Sequence, residues 1–137
     1  MRSYFIISLF IISLLPSCLT QANQQVEADK LVQAFHSALQ NSDWEQASTY
    51  YNAKFFQQQS RSDWQNNFQA AIKKLGKIQS FHITTKQKDP RYGGDFYIYM
   101  TRIQHQHGSS HETMTVFKGL DDKPLSITGY KLTIKGK

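Results

Sequence analysis

The first half of the chain carries apolar residues at helical spacing. Residues 26–40 place five of them on one stripe: Leu31, Ala34, Phe35, Ala38 and Leu39. The triplet Ser-Asp-Trp occurs twice, at Ser42 and Ser62, with Glu or Gln three positions after each serine. Both copies predict capping boxes in which the serine begins a helix, and Gly76 predicts the end of the last one. The pattern therefore predicts three N-terminal helices.

After Gly76 the apolar residues recur at every second position, as in β-strands. Strands are predicted over residues 78–86, 96–106, 112–118 and 125–135, with turns at 89–95, 108–110 and 119–124. Along the last strand the apolar parity changes at Gly129, which predicts a β-bulge there. Helices followed by four antiparallel strands predict an α+β fold, in which three helices pack on one face of a curved sheet.

The N-terminus has the layout of an export signal. Arg2 precedes an apolar run over residues 4–15, and small residues follow. A run of this length spans roughly 18 Å as a helix, which is too short for a bilayer core of ~30 Å, so the mature chain is expected to have no transmembrane helix. Cleavage after Ala22 would give a signal peptide over residues 1–22. The alternative is a lipoprotein signal over residues 1–17, with Cys18 lipidated.

These alternatives predict a periplasmic or secreted protein, or a membrane-anchored lipoprotein that faces the periplasm. Residues 23–25 are expected to form a short tether, and residues 26–135 a single domain. Because Cys18 is the only cysteine, that domain has no disulfide and depends on its core for stability.

Charge is distributed unevenly over a chain of net charge +6. Residues 23–72 hold three basic and five acidic side chains, whereas residues 73–137 hold twelve basic and five acidic ones. Outside the cytoplasm a basic half indicates anionic envelope lipid or acidic glycans as partners rather than nucleic acid. The alternative is that the lysines only keep the sheet surface soluble.

Few residues offer catalytic or metal chemistry. Glu112 is the only acidic residue within a predicted strand, which disfavours acid–base catalysis, and no cofactor is expected. His105, His107 and His111 are close in sequence and would converge on Zn²⁺ or Cu²⁺ if their hairpin were centred on Gly108. If the hairpin were centred half a residue later, His111 would lie on the other face from His105, and the histidines would belong to an exposed hairpin tip.

Aromatic residues are the other candidates for a site. Tyr51, Trp64, Tyr97 and Tyr99 are spaced so that they could line a pocket for a small apolar or glycan ligand. The same spacing is what the core of a domain of this size requires. Both interpretations remain open at this point.

The order of motifs resembles the cone-shaped superfamily named after nuclear transport factor two, which includes the SnoaL-like proteins. The resemblance spans residues 26–134 and is closest to small exported bacterial members of unknown function. Its motifs are Trp44, Leu75-Gly76-Lys77-Ile78-Gln79-Ser80, Tyr97-Ile98-Tyr99, Glu112-Thr113-Met114-Thr115-Val116-Phe117 and Ile127-Thr128-Gly129-Tyr130. It implies a cystatin-like cone with a cavity between helices and sheet. As a partner, a second copy of the chain bound through the sheet is a further expectation.

The function expected from these observations is that of a non-catalytic accessory or binding protein of the bacterial envelope. It would use the aromatic-lined cavity or the basic sheet surface. One alternative is a small enzyme of the isomerase or dehydratase kind. The other is a periplasmic metal-binding protein that uses His105, His107 and His111.

Overall fold

The computed structural model describes the backbone of residues 17–134 and the side chains of residues 23–134. Residues 1–16 of the predicted signal, and residues 135–137, lie outside the described residues. The elements are α1 (Ser17–Gln40), α2 (Trp44–Thr49), α3 (Phe55–Gln58), α4 (Arg61–Leu75), β1 (Ile78–Arg91), β2 (Gly94–His105), β3 (Gly108–Gly119) and β4 (Ser126–Ile134). Within this part of the chain no helix is long and apolar enough to cross a bilayer.

The protein has an α+β fold, with four helices over residues 17–134 instead of the three predicted. The additional helix is the single turn α3. The helix caps also differ from the prediction. Ser42 has a φ of 57°, outside the extended conformation of an N-cap, and Asp43 caps α2 by accepting from the Gln46 amide at 3.1 Å. Ser60, not Ser62, caps α4 by accepting from the Asp63 amide at 3.0 Å.

Residues 23–25, predicted to be a tether, are part of α1. Gln25 donates to the Tyr99 hydroxyl at 3.0 Å, and Gln24 accepts from the Tyr97 hydroxyl at 3.4 Å. The prediction failed because it relied on composition alone. The two amide side chains have partners more than seventy residues away that local sequence does not reveal.

The sheet is antiparallel with strand order β1-β2-β3-β4. The bulge predicted near Gly129 is present. Thr115 pairs with Gly129 and Val116 with Ile127, so Thr128 is the extra residue. This insertion returns Ile127 and Tyr130 to the same face, which is the face packed against the helices.

The core lies between the inner face of the sheet and the helices. Its largest buried side chains come from β2, β3 and α1, with Trp64 and Phe68 from α4. On β2 and β3 the inward residues alternate with outward ones, and they are Tyr97, Tyr99, Thr101, Ile103, His105, Ser110, Glu112, Met114 and Val116. Besides the two tyrosines, two of these residues are titratable, His105 and Glu112.

The two edges of the sheet are protected in different ways. Residues 50–52 form a short parallel contact with Ile127, and the Asn52 amide donates to its carbonyl at 2.8 Å. At the other edge, β1 has register shifts at residues 78–80 and 83–85, and the Gln40 side chain donates to the Gln79 carbonyl at 2.9 Å. Bulges and capped carbonyls make an edge a poor template for another strand.

Candidate functional site

The four aromatic residues predicted to line a pocket are buried in the core. Tyr97 and Tyr99 are at most 1% exposed, and Trp64 donates its indole N–H to the Tyr51 hydroxyl at 2.9 Å. The Tyr51 ring also lies 5.4 Å from the Trp64 ring, centre to centre. In the described part of the chain these rings fill the space between helices and sheet, as the core interpretation expects.

Where α1 crosses the sheet, Tyr99 belongs to a polar cluster. Its hydroxyl donates to Asp29 at 2.8 Å, and Lys86 forms an ion pair with the same carboxylate at 2.9 Å. Burial acts to raise the pKa of Asp29, but the bonds from Lys86, Tyr99 and Gln25 outweigh burial and hold that pKa below its usual value. Burial, followed by Asp29, raises the pKa of Tyr99. The cluster fixes α1 on the sheet.

The three histidines predicted to form a metal site are not brought together. His105 pairs with Gly108, so the β2–β3 turn is centred between Gln106 and His107, a register that neither prediction considered. His111 is opposite Arg102 and therefore on the outer face, while His105 points inward. No three His, Cys, Asp or Glu side chains in the described residues are arranged to hold a metal ion.

His105 instead has a structural set of bonds. Its Nδ1 lies 2.9 Å from the Gly76 carbonyl and its Nε2 2.9 Å from the Ser110 hydroxyl. Because a carbonyl can only accept, Nδ1 carries a proton and donates to Gly76, while Nε2 is bonded to the serine hydroxyl. The ring therefore joins the end of α4 to the β2–β3 hairpin, and both of its nitrogens are occupied.

A second buried group, the His36 cluster, consists of His36, Glu112 and Tyr130. The His36 Nε2 lies 2.7 Å from one Glu112 oxygen, and the Tyr130 hydroxyl donates to the other at 2.6 Å. The His36 ring stacks on Phe81 with centres 4.0 Å apart and planes 6° apart. Burial, followed by the Glu112 charge, raises the pKa of Tyr130 well above its usual value. The cluster thus holds a carboxylate that is 1% exposed.

His36 was missed by the sequence analysis. It follows Val32 by one helical turn and so continues the buried stripe of α1, but its partner is 76 residues away. The sequence of β3 did contain a pattern that points to this cluster. Glu112 has the same parity as Met114 and Val116, so a buried carboxylate in need of a partner could have been inferred.

The α1–β1 groove lies outside the His36 cluster and has a volume of about 550 Å³. It is lined by Gln33, His36, Ser37, Gln40, Gln79, Ser80, Phe81, His82, Ile83 and Lys86. His36 is the member of the cluster that borders this groove, so Glu112 has no direct access to a ligand there.

A cleft lined by three phenylalanines lies at the opposite edge of the sheet, and we call it the Phe cleft; its volume is about 390 Å³. Phe55, Phe96, Phe117 and Pro124 supply its apolar surface. Its other lining residues are Asn52, Lys54, Gln58, Gly119, Asp121, Lys123, Ser126 and Thr128. The centres of the Phe96 and Phe117 rings are 4.7 Å apart, so the two rings form a continuous surface.

Local structure holds the walls of the Phe cleft in place. The Asn52 side chain accepts from the Lys54 amide at 2.9 Å and donates to the Ser126 hydroxyl at 3.4 Å, which joins two walls. Gly94, with a φ of 145°, allows β2 and β3 to approach closely, because a Cβ there would lie 2.2 Å from the Lys118 carbonyl oxygen. This approach places Phe96 beside Phe117.

Comparison with known proteins supports the fold. No protein-family model matches the chain, and no curated protein matches it. Among solved structures the chain is similar to Bd1075 of Bdellovibrio bacteriovorus, with a TM-score of 0.59 at 14% sequence identity. The match covers 90% of this chain and 44% of that protein, so the chain spans less than half the length of its structural neighbour. At this identity the likeness shows a shared α+β fold.

Proposed function

We propose that this protein is a non-catalytic accessory protein of the bacterial envelope that binds a small amphiphilic molecule in the Phe cleft. The observation that carries the proposal is the contrast between two regions. The aromatic interior is filled by its own side chains, whereas the Phe cleft has an aromatic surface that remains open. A concave apolar surface with a few polar groups around it is the usual form of a small-molecule site.

The lining of the Phe cleft defines the chemical class of the ligand. Three phenyl rings and a proline favour an apolar ring or chain, while Asn52, Gln58 and Ser126 supply amide and hydroxyl groups for a polar portion. Lys54 and Lys123 border the same cleft and favour an anionic group on the ligand. Asp121 lies 3.3 Å from Lys123 and partly offsets its charge, so Lys54 contributes more.

We place the chain in the nuclear-transport-factor-two-like superfamily, as an exported member with a cystatin-like cone. The motifs that resemble the superfamily and the four-stranded antiparallel sheet support this assignment. Export is supported by the signal-like residues 1–22. A homodimer would use the outer face of the sheet, where Ile98 and Met100 are the apolar residues available outside the Phe cleft.

Titration with anilinonaphthalene sulfonate tests the proposed site, because this probe combines apolar rings with one anionic group. We expect a saturable rise in its fluorescence. Phe117→Ala should weaken its binding by about tenfold through loss of the ring surface. Lys54→Glu should weaken it by about fivefold, since it reverses a charge close to the sulfonate.

Met100→Ala is the matched control. Met100 is 45% exposed and lies on the same face of β2 as Phe96, but it does not line the cleft. Lys54 is exposed, so its replacement leaves the core intact and keeps the test valid if Phe117→Ala unfolds the protein. Equal affinities for wild type and Lys54→Glu, or an effect of Met100→Ala as large as that of Phe117→Ala, would contradict the proposal.

A small enzyme is the second candidate function, and one observation favours it. In the His36 cluster a buried carboxylate orients an imidazole that borders an open groove, as in many acid–base sites. Ser37→Tyr would fill the groove from the exposed face of α1. If the groove is a reaction site, this substitution should abolish the isomerase or dehydratase activity without changing the stability of the protein. If the cluster is only structural, its replacement will change stability and leave probe binding in the Phe cleft unaltered.

A further inference from the structure

Two large apolar side chains project from neighbouring turns at one end of the molecule. Tyr92, in the β1–β2 turn, is fully exposed, and Leu120, in the β3–β4 loop, is 83% exposed. The two turns are adjacent because Gly94, just after Tyr92, pairs with Gly119, just before Leu120. Single exposed apolar residues are common on proteins, but two at adjacent tips form a local apolar surface. We call this surface the loop end.

Helix α1 begins at the same end of the molecule. Its residues Gln24 and Gln25 contact Tyr97 and Tyr99 of β2, whereas Gln40 at its other end contacts the start of β1. In the sequence, α1 is preceded directly by the apolar run over residues 4–15. A lipid on Cys18, or the apolar run in a chain from which it is not cleaved, would therefore bring a membrane to the side of the domain where the loop end lies.

The charges near the loop end are mostly paired with one another. Arg91 and Asp89 form an ion pair at 2.7 Å, and Lys123 and Asp121 form one at 3.3 Å. The Lys118 ammonium donates to two carbonyls of its own loop. With these charges engaged locally, the side chains left to contact a partner are the exposed Asp122 and the two apolar residues, and of these the apolar residues are suited to insertion into a bilayer.

We propose that the loop end docks on the surface of a lipid bilayer, with Tyr92 and Leu120 inserted among the headgroups. Tyrosine suits this depth because its ring is apolar and its hydroxyl remains hydrated. Insertion of apolar side chains depends little on salt and needs no anionic lipid, unlike attraction of lysines to a charged surface. Two side chains bind weakly alone, so they orient a domain that is already held nearby. The proposal is independent of the ligand of the Phe cleft.

Fluorescent labelling at single positions tests this orientation. Leu120→Cys, Tyr92→Cys and Met100→Cys would each be made in the full chain with Cys18→Ser, and labelled with nitrobenzoxadiazole, which brightens in apolar surroundings. The labelled chains are mixed with vesicles of phosphatidylcholine, with and without phosphatidylglycerol. We expect a several-fold rise in emission for labels at positions 120 and 92, and none at position 100 on the outer face of the sheet.

The same measurement at two salt concentrations separates insertion from electrostatic attraction. Between ~0.01 and ~0.15 M salt the Debye length falls from ~30 to ~8 Å, yet the rise at positions 92 and 120 should stay within about twofold. A rise at position 100 but not at 92 and 120 would overturn the proposal, because the sheet face would then be the docking surface. No rise at any position would also overturn it and would indicate a protein partner for the two tips.

Discussion

The His36–Glu112 pair allows a quantitative prediction about stability. The His36 side chain is 7% exposed and that of Glu112 is 0% exposed, so neither group has water as an alternative partner. Replacing one member of a buried pair leaves the other without its partner and costs about 3–5 kcal/mol. Replacing both with apolar residues of similar size is often neutral.

We therefore expect His36→Leu and Glu112→Leu each to lower the free energy of unfolding by about 3–5 kcal/mol. The single change at Glu112 should lie at the upper end, because it also removes the acceptor of the Tyr130 hydroxyl at a cost of about 1–3 kcal/mol. The change at His36 removes the stacking on Phe81, worth about 1 kcal/mol. In the double variant neither His36 nor Glu112 is left behind without its partner, and the remaining losses are the acceptor of the Tyr130 hydroxyl and the stacking on Phe81. The double variant should thus be more stable than either single variant.

Urea unfolding followed by the fluorescence of Trp44 and Trp64 measures these free energies, provided that the dependence on urea is similar in all four proteins. The expected coupling energy between the two substitutions is at least about 3 kcal/mol. Additive losses, with the double variant less stable than both single variants, would refute the reasoning. They would mean that His36 and Glu112 act independently.

Three further predictions follow from individual contacts. The pKa of Asp29 is lowered in the folded state, so its contribution to stability is present above the unfolded pKa of ~3.9 and is lost as pH falls. Asp29→Asn should therefore lower the free energy of unfolding by about 1 kcal/mol at neutral pH and by almost nothing near pH ~2, as measured by urea unfolding. The pKa values of Tyr51 and Tyr130 are raised in the folded state, so their contribution to stability is complete below the unfolded pKa of ~10 and is lost as pH rises beyond it. Unfolding measured at a series of pH values should show that stability falls above pH ~10, and that it falls less steeply in Tyr130→Phe. Gly94→Ala should cost at least about 2 kcal/mol, because φ is positive and the added Cβ meets the Lys118 carbonyl; an unchanged melting temperature would contradict this.

Local patterns predicted the four strands and the bulge at Gly129, because both follow from the period of two and a single change in parity. The predicted turns at 89–95 and 108–110 were wrong in extent, since β1 continues to Arg91 and β3 begins at Gly108. Helix starts were displaced by one or two residues, since each predicted cap has a second capping residue nearby, Asp43 after Ser42 and Ser60 before Ser62. The predicted convergence of three histidines at the β2–β3 hairpin was also wrong because of a small displacement along the sequence. A change in the centre of the turn moves His111 to the other face of the sheet.

The sites themselves depend on contacts that are distant in sequence. The Phe cleft joins the α2–α3 region to the ends of β2, β3 and β4, and no motif in any of these segments indicates that they meet. The aromatic residues chosen from the sequence were those with regular spacing, and regular spacing is a property of the core. Phe96 and Phe117 have the opposite parity to the buried residues of their strands and were therefore overlooked.

The most direct test of ligand binding in the Phe cleft is a map of amide NMR shifts during titration with anilinonaphthalene sulfonate. Binding at the proposed site should shift the amides of Lys54, Phe117 and Ser126 in a saturable way and leave those around Tyr99 and His36 unchanged. Shifts centred on Tyr99 would mean that the aromatic interior opens to admit the ligand, and shifts centred on His36 would place the site in the α1–β1 groove. Either result would contradict the assignment of the Phe cleft as the binding site.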